Sequence, residues 1–315
     1  MSAILLAVTR LDPKGWEERF RTLAPQHDLR RWPEHLGDLA DIAYVCAWHA
    51  PHGLLAGLPR LRAVFSLGAG VDHVLADPDL PDVPVVRIVD ADLTMRMTEY
   101  VVLHVLMHHR RQRSYDAQQR ERIWREHAQP PASAVAVGVM GLGVLGRDAA
   151  SALRRIGFRV AGWSRTPKTI PGIETFHGDE GLDAFLRRTE ILVCLLPATP
   201  ATRGIIRLEL LRRLKRDGAA GGAYLINAGR GALQVDADIL AALAEGSLVG
   251  ATLDVFPTEP LPVGSPLWTH SNVTVTPHNA AASDPAALVV GVLRQIERCE
   301  AGLPLEHVVD RGMGY

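Results

Sequence analysis

Cysteine is scarce in this chain: Cys46, Cys194 and Cys299 are the only three in 315 residues, and they lie far apart. No CxxC pair exists, and two of the three sit in apolar runs of strand length. That excludes a disulfide framework and a Cys-rich zinc module, and it points to reduced thiols and a cytoplasmic setting. Charge of one sign is also lacking. Lys+Arg number 34 and Asp+Glu 35, with no basic block, so nothing suggests a nucleic acid or an anionic membrane as partner. No apolar run is long enough to span a bilayer. Met1–Arg10 has no basic region followed by a long apolar core, so no secretory signal is expected. Neither repeats nor low-complexity segments occur. Hydrophobic residues make up 47% of the chain, as in a globular protein, and the length suffices for two α/β domains with separate cores.

What is present is organised around Val135–Lys168. An apolar run, Val135–Met140, leads into Gly141-Leu142-Gly143-Val144-Leu145-Gly146. A helical stretch, Arg147–Ile156, and a second apolar run, Phe158–Trp163, follow. This is the strand, glycine turn, helix and strand unit that binds dinucleotides. Gly141 permits the tight turn, Gly143 lets the backbone approach a pyrophosphate, and Gly146 lets helix and strand pack closely. The amides that open the helix, at Val144 and Leu145, would face the phosphates. An NAD-preferring site carries Asp or Glu at the end of the second strand. Here that end reads Trp163-Ser164-Arg165-Thr166, with Lys168 two residues on and no acid. A guanidinium, hydroxyls and an ammonium suit a 2′-phosphate, so the expected cofactor is NADPH.

Before this unit, short apolar runs alternate with helical patterns. Strands are expected at Ile4–Val8, Leu29–Trp32, Ile42–Trp48, Ala63–Leu67 and Val85–Ile88, with helices at Gly15–Leu23 and His52–Leu58. Thr98–Arg113 reads as one helix, apolar over much of its circumference, and therefore buried between domains or subunits. Its His104 and His108 are read as core or interface residues, because no third ligand stands at a telling spacing; no metal is expected. Arg120–Ser133 reads as a polar connector. Further strands are expected at Ile191–Leu196, Ala223–Ile226, Ala251–Val255 and Val273–Thr276. Helices are expected at Leu182–Arg187, Arg207–Leu214, Ala237–Glu245 and Pro285–Ala301. The fold class is therefore α/β, with two doubly wound parallel-sheet domains. One is a Rossmann dinucleotide-binding domain at 98–281. The other is a smaller, discontinuous flavodoxin-like substrate domain at 1–97 and 282–315.

Ligands of open α/β sheets bind outside the carboxyl ends of the strands. Arg230 follows one expected strand, Glu259 the next and His278 the last. Reduction of a ketone by hydride needs a proton donor for the carbonyl oxygen, and histidine is suited to that near neutral pH. A carboxylate beside it favours the imidazolium. An arginine fork can hold a carboxylate and polarise the neighbouring keto oxygen. Together they point to a small 2-keto acid as substrate.

These pieces resemble the D-isomer-specific 2-hydroxyacid dehydrogenase family, and within it the glyoxylate/hydroxypyruvate reductase A branch. The matching segments are Cys46-Ala47-Trp48-His49-Ala50-Pro51, Leu67-Gly68-Ala69-Gly70-Val71-Asp72, GLGVLG, WSRTPK, LLPATPAT, NAGRG, LDVFPTEPLP, TPHNAA and the closing Arg311-Gly312-Met313-Gly314-Tyr315. The resemblance implies NADPH-dependent reduction of glyoxylate to glycolate and of hydroxypyruvate to D-glycerate. It implies that Arg230 binds substrate, that His278 is the acid/base and that Glu259 supports it. The Ala69 and Gly70 amides would hold the substrate carboxylate, with Trp48 nearby. Pro197, Thr202, Ala228 and Asp254 would line the cofactor site, Asp254 facing the nicotinamide carboxamide. A homodimer through the Thr98–Arg113 helix is implied as well. Two alternatives stay open: reduction of bulkier 2-keto acids such as phenylpyruvate, and a non-catalytic dinucleotide-sensing role.

Overall fold

The computed structural model describes residues 2–9, 12–282 and 284–315. In chain order the strands are β1 (Ala3–Val8), β2 (Asp28–Arg31), β3 (Ile42–Trp48), β4 (Ala63–Ser66), β5 (Val85–Val86), β6 (Ala136–Met140), β7 (Arg159–Ser164), β8 (Glu174–His177), β9 (Ile191–Cys194), β10 (Tyr224–Asn227), β11 (Gly250–Leu253) and β12 (Val273–Val275). The helices are α1 (Lys14–Leu23), α2 (Asp72–Leu75), α3 (Ala91–His109), α4 (Gln112–Glu121), α5 (Val144–Ile156), α6 (Gly178–Arg188), α7 (Leu208–Leu211), α8 (Asp236–Ala244) and α9 (Pro285–Glu300). The chain divides into two compact units, Met1–Leu93 with Ser283–Tyr315, and Thr94–Ala282.

The first unit is a parallel sheet in the order β2-β1-β3-β4-β5, the flavodoxin-like arrangement. Successive residues of β1 serve opposite faces, as the two-residue period of a strand requires. Ile4, Leu6 and Val8 pack with Trp16 and Phe20 of α1 and with Leu288, Val292 and Ile296 of α9. Ala3, Leu5 and Ala7 join Leu55, Leu58 and Val74 on the other face. Helix α9 starts where it does because the Asp284 side chain accepts from the Ala286 amide and Pro285 occupies its first turn.

The second unit is a parallel sheet in the order β12-β11-β10-β9-β6-β7-β8. Counted from β6, this is the Rossmann order with one strand more, and the order reverses between β6 and β9. Ala149, Ala150 and Leu153 of α5 pack with Val101 and Val105 of α3 on one face. Phe185 and Leu186 of α6, Leu210 of α7 and Ile239 of α8 cover the other.

Four local differences from the sequence expectation have identifiable causes. Helix α3 opens at Ala91, not Thr98, because the Asp90 carboxylate accepts from the amides of Asp92 and Leu93 and caps it. It stops at His109. Arg111 then takes a left-handed φ of 54°, and α4 occupies the first part of the expected connector. His52–Leu58 forms only a single 3₁₀ turn, Leu55–Gly57, after Gly53 at φ 80°. Strand β8 was not anticipated. Its four residues are too short and polar for a periodic signal, and pairing with β7 at the sheet edge makes them a strand.

Candidate active site

In the second unit the carboxyl ends of β6, β7, β9, β10, β11 and β12 carry the residues singled out from the sequence. The turn after β6 is set by two glycines. Gly141 has φ 102°, which a side chain rarely adopts. A Cβ at Gly146 would overlap the Gly141 carbonyl oxygen, so α5 can lie this close to the turn only with glycine there. Gly143 differs from both: a Cβ built on it meets no atom within 4 Å. Gly143 caps α5 without any side-chain hydrogen bond, and Val144 and Leu145 open the helix. The result is a helix N-terminus with open space before it, which a diphosphate fits.

At the end of β7, Ser164 is buried and its hydroxyl donates to the Thr166 carbonyl at 2.8 Å, closing the turn. Arg165 and Lys168 are exposed, and no acid stands between Trp163 and Lys168. This charge pattern matches a phosphomonoester better than a bare ribose hydroxyl. After β9, Thr202 donates to the Pro197 carbonyl at 2.7 Å and accepts from the Thr199 amide at 2.8 Å. Its hydroxyl thus shapes the Pro197–Thr202 turn. Ala228 is buried just beyond β10. The glycine turn and the β7 end therefore fit NADPH, whose diphosphate Gly143, Val144 and Leu145 would hold and whose 2′-phosphate Arg165 and Lys168 would meet.

Arg230, Glu259 and His278 lie on three neighbouring loops. Glu259 Oε2 and His278 Nδ1 are 2.8 Å apart, and Glu259 Oε1 accepts from the Phe256 amide at 2.9 Å. Burial alone would raise the Glu259 pKa. The hydrogen bonds from His278 and Phe256, with the charges of His278 and Arg230, reverse this and hold it below the ordinary glutamate value. Glu259 is therefore a carboxylate near neutral pH. The His278 side chain remains 39% exposed, so the rest of the ring is open to a reactant.

Asn227, passed over in the sequence, organises the Arg230 loop. It is fully buried at the end of β10. Its amide donates to Gln234 Oε1 at 2.7 Å and to the Arg230 carbonyl at 3.3 Å, while its oxygen accepts from the Gly229 amide at 3.1 Å. Gly231 has its Cα against the Phe256 carbonyl, where a Cβ would overlap it, and this brings the Arg230 loop onto the Glu259 loop. An Asn at a strand end two residues before Gly was the available signal.

Asp254 also has a task that the sequence did not reveal. It is 1% exposed. Its Oδ1 accepts from Thr276 Oγ1 at 2.6 Å and from the Asn279 amide at 3.0 Å, and its Oδ2 accepts from the Ala280 amide at 3.0 Å. Its carbonyl accepts from the His278 amide at 2.8 Å. Since the Thr276 proton goes to the carboxylate, the Tyr100 hydroxyl, 2.7 Å away, is the donor to Thr276. The expectation turned Asp254 toward a nicotinamide carboxamide. In the structure its carboxylate braces the turn that holds His278 at a left-handed φ of 53°.

In the first unit, Trp48 ends β3 and Ala69 and Gly70 follow β4, all partly buried. The α3 histidines are core residues: His108 is buried and within 3.0 Å of Thr252 Oγ1. Among the described residues no group of three His, Cys, Asp or Glu could hold a metal ion, and no helix is long and apolar enough to cross a membrane.

A Rossmann sheet with a paired Glu and His at its strand ends is the architecture of a nicotinamide-dependent dehydrogenase. The family model of the D-isomer-specific 2-hydroxyacid dehydrogenase NAD-binding domain matches residues 102–280, and the chain belongs to that family. Glyoxylate/hydroxypyruvate reductase A of Escherichia fergusonii is 42% identical over 318 residues, 99% of either chain. The NADPH-dependent glyoxylate/hydroxypyruvate reductase of Sinorhizobium meliloti, crystallised with NADP and sulfate, is 49% identical over 100% of both chains, with a TM-score of 0.96. A probable 2-hydroxyacid dehydrogenase of Rhizobium etli, in complex with NADP, HEPES and L(+)-tartaric acid, is 46% identical. It covers 100% of this chain and 99% of its own, with a TM-score of 0.95.

Proposed function

We propose that this chain is an NADPH-dependent reductase of small 2-keto acids, converting glyoxylate to glycolate and hydroxypyruvate to D-glycerate. The observation that carries this is the Glu259 carboxylate on Nδ1 of His278, beside the Arg230 loop and at the same sheet edge as the glycine turn. NADPH, when bound, supplies the hydride. Glu259 holds the Nδ1 proton, so the imidazolium form of His278 has Nε2–H to offer. That proton goes to the carbonyl oxygen as the alcohol forms, which leaves the ring neutral with Nδ1–H still on Glu259. Arg230 clamps the substrate carboxylate and polarises the keto oxygen. The first unit acts as the substrate domain: the Ala69 and Gly70 amides hold the carboxylate, and Trp48 packs on the substrate. Asn227 and Asp254 keep Arg230 and His278 in place.

Steady-state rates with glyoxylate, hydroxypyruvate and phenylpyruvate, each with NADPH and NADH, test this. Turnover of the two small acids with NADPH is the expected result. Cofactor binding without turnover of any keto acid refutes it. The proposal extends to a cytoplasmic homodimer built on α3. In its support, Met95 and Leu103 on α3, and Ile123 and Trp124 just past α4, are large apolar side chains exposed to solvent. Light scattering on the eluting protein measures the mass.

A further inference from the structure

In the first unit, side chains without a part in the chemistry above form one hydrogen-bonded chain. β4 ends at the fully buried Ser66. Its Oγ is 2.7 Å from the Gly70 carbonyl and 3.1 Å from Nε2 of His73, in α2. The other ring nitrogen, Nδ1, is 3.2 Å from the His49 amide. His49 directly follows Trp48 and has a left-handed φ of 49°. Thr9 Oγ1 donates to its carbonyl at 2.7 Å, so the turn is held from both sides.

Counting protons fixes the tautomer. A carbonyl only accepts, so the single Ser66 proton goes to Gly70. Nε2 of His73 must then donate to the Ser66 oxygen. A backbone amide only donates, so Nδ1 must carry no proton. These two contacts put a proton on Nε2 and make Nδ1 the acceptor of the His49 amide. The surroundings are packed to match. The His73 ring centroid is 4.9 Å from that of Trp48 and 5.0 Å from that of His49. Gly68 lies against the Trp48 indole so closely that a Cβ would come within 2.5 Å of it. The amides of Ala69 and Gly70 have no hydrogen-bond partner among the described residues.

We propose that His73 is a positioning residue for the substrate, tying together the two loops of this unit assigned to it. Nδ1 holds the turn that follows Trp48. Nε2, through Ser66, holds the Gly70 carbonyl and with it the conformation of the Ala69–Gly70 amides. This rests on the assignment of those amides and Trp48 to substrate binding. A backbone donor pair is useful to a carboxylate only if it is fixed before binding, and the Ser66–His73 pair provides the fixing.

The tautomer is read on the unmodified protein by long-range ¹⁵N–¹H correlation of labelled histidine near neutral pH. The Nε2–H form is expected; an Nδ1–H or doubly protonated ring overturns the proposal. Kinetics then test the role. Ser66→Ala and His73→Asn should raise KM for glyoxylate roughly five- to tenfold, the worth of one or two net hydrogen bonds. Their kcat and their KM for NADPH should stay within about twofold. His73→Gln, whose amide nitrogen can take the place of Nε2, should recover most of the loss. Unchanged KM in Ser66→Ala and His73→Asn, or a fall in kcat and thermal stability without a KM effect, overturns the positioning role while the function above stands. A wild-type chain that reduces no 2-keto acid overturns the function, and the substrate role of His73 with it.

Discussion

Replacing Gly143 by alanine separates folding from cofactor binding, because its environment differs from that of the other glycines in the turn. Gly143 has φ −72° and ψ −163°, an extended conformation open to any residue. A Cβ there meets nothing within 4 Å. Alanine therefore introduces no clash in the unliganded protein. Two small effects oppose each other: lower entropy of the unfolded chain stabilises by about 0.4–1 kcal/mol, and a poorer N-cap costs a similar amount, about 0.5–1 kcal/mol. Stability should stay within about 1 kcal/mol of wild type. The new methyl group does occupy the space before the α5 amides. Pushing a phosphate off even one charge-assisted hydrogen bond costs about 1.5–3 kcal/mol, so NADPH should bind roughly ten- to a hundredfold more weakly. Denaturant melts and fluorescence titration with NADPH measure the two quantities on the same preparation. Gly146→Ala is the contrast, since its Cβ would overlap the Gly141 carbonyl; it should fail on stability first. If Gly143→Ala binds NADPH as wild type does, the diphosphate does not lie on this turn.

Three further outcomes are expected. Glu259→Gln removes the charge beside Nδ1 of His278 but keeps a hydrogen-bonding group, so the alkaline limb of kcat for glyoxylate reduction should move to lower pH with KM for NADPH unchanged; an unmoved profile removes Glu259 as the partner. Arg165→Asp should change the NADPH/NADH preference at least about tenfold against NADPH, from the loss of a contact of about 1.5–3 kcal/mol; ratios of kcat/KM with each cofactor decide it. Burial pushes the His108 pKa down to about 3, and burial lowers those of His104 and His109 as well. The unfolded chain thus takes up protons near pH 6.5 that the folded chain refuses. Stability is full above that pH and falls below it, for His108 by about 1.4 kcal/mol per pH unit until its folded-state pKa is reached. His108→Gln should flatten the slope of denaturant stability between pH 6 and 4, and an equally steep slope would show that His108 is not protonated on unfolding.

Whatever short-range chemistry controls was legible in the sequence. Alternating apolar runs and amphipathic helices specified two parallel α/β sheets, because strand and helix periods are properties of neighbouring residues. The glycine turn was legible for the same reason: Gly141 and Gly146 are demanded by a local φ and a local close approach. Arg230, Glu259 and His278 could be found because strand ends are predictable and sheet topology brings them to one edge. Features that depend on residues distant in sequence emerge only when the chain packs. Strand β8 exists because β7 offers it a partner. Asn227 looked indifferent until Gln234 and the Arg230 carbonyl came within reach of its amide. Asp254 reads as a site residue by position, and that its carboxylate accepts from Thr276 and the amides of Asn279 and Ala280, 22 to 26 residues away, is visible only in the folded chain. The partners of Ser66 and His73 hold loops in the same way. A polar side chain has only a few donor and acceptor sites, and which groups fill them is settled when the chain packs.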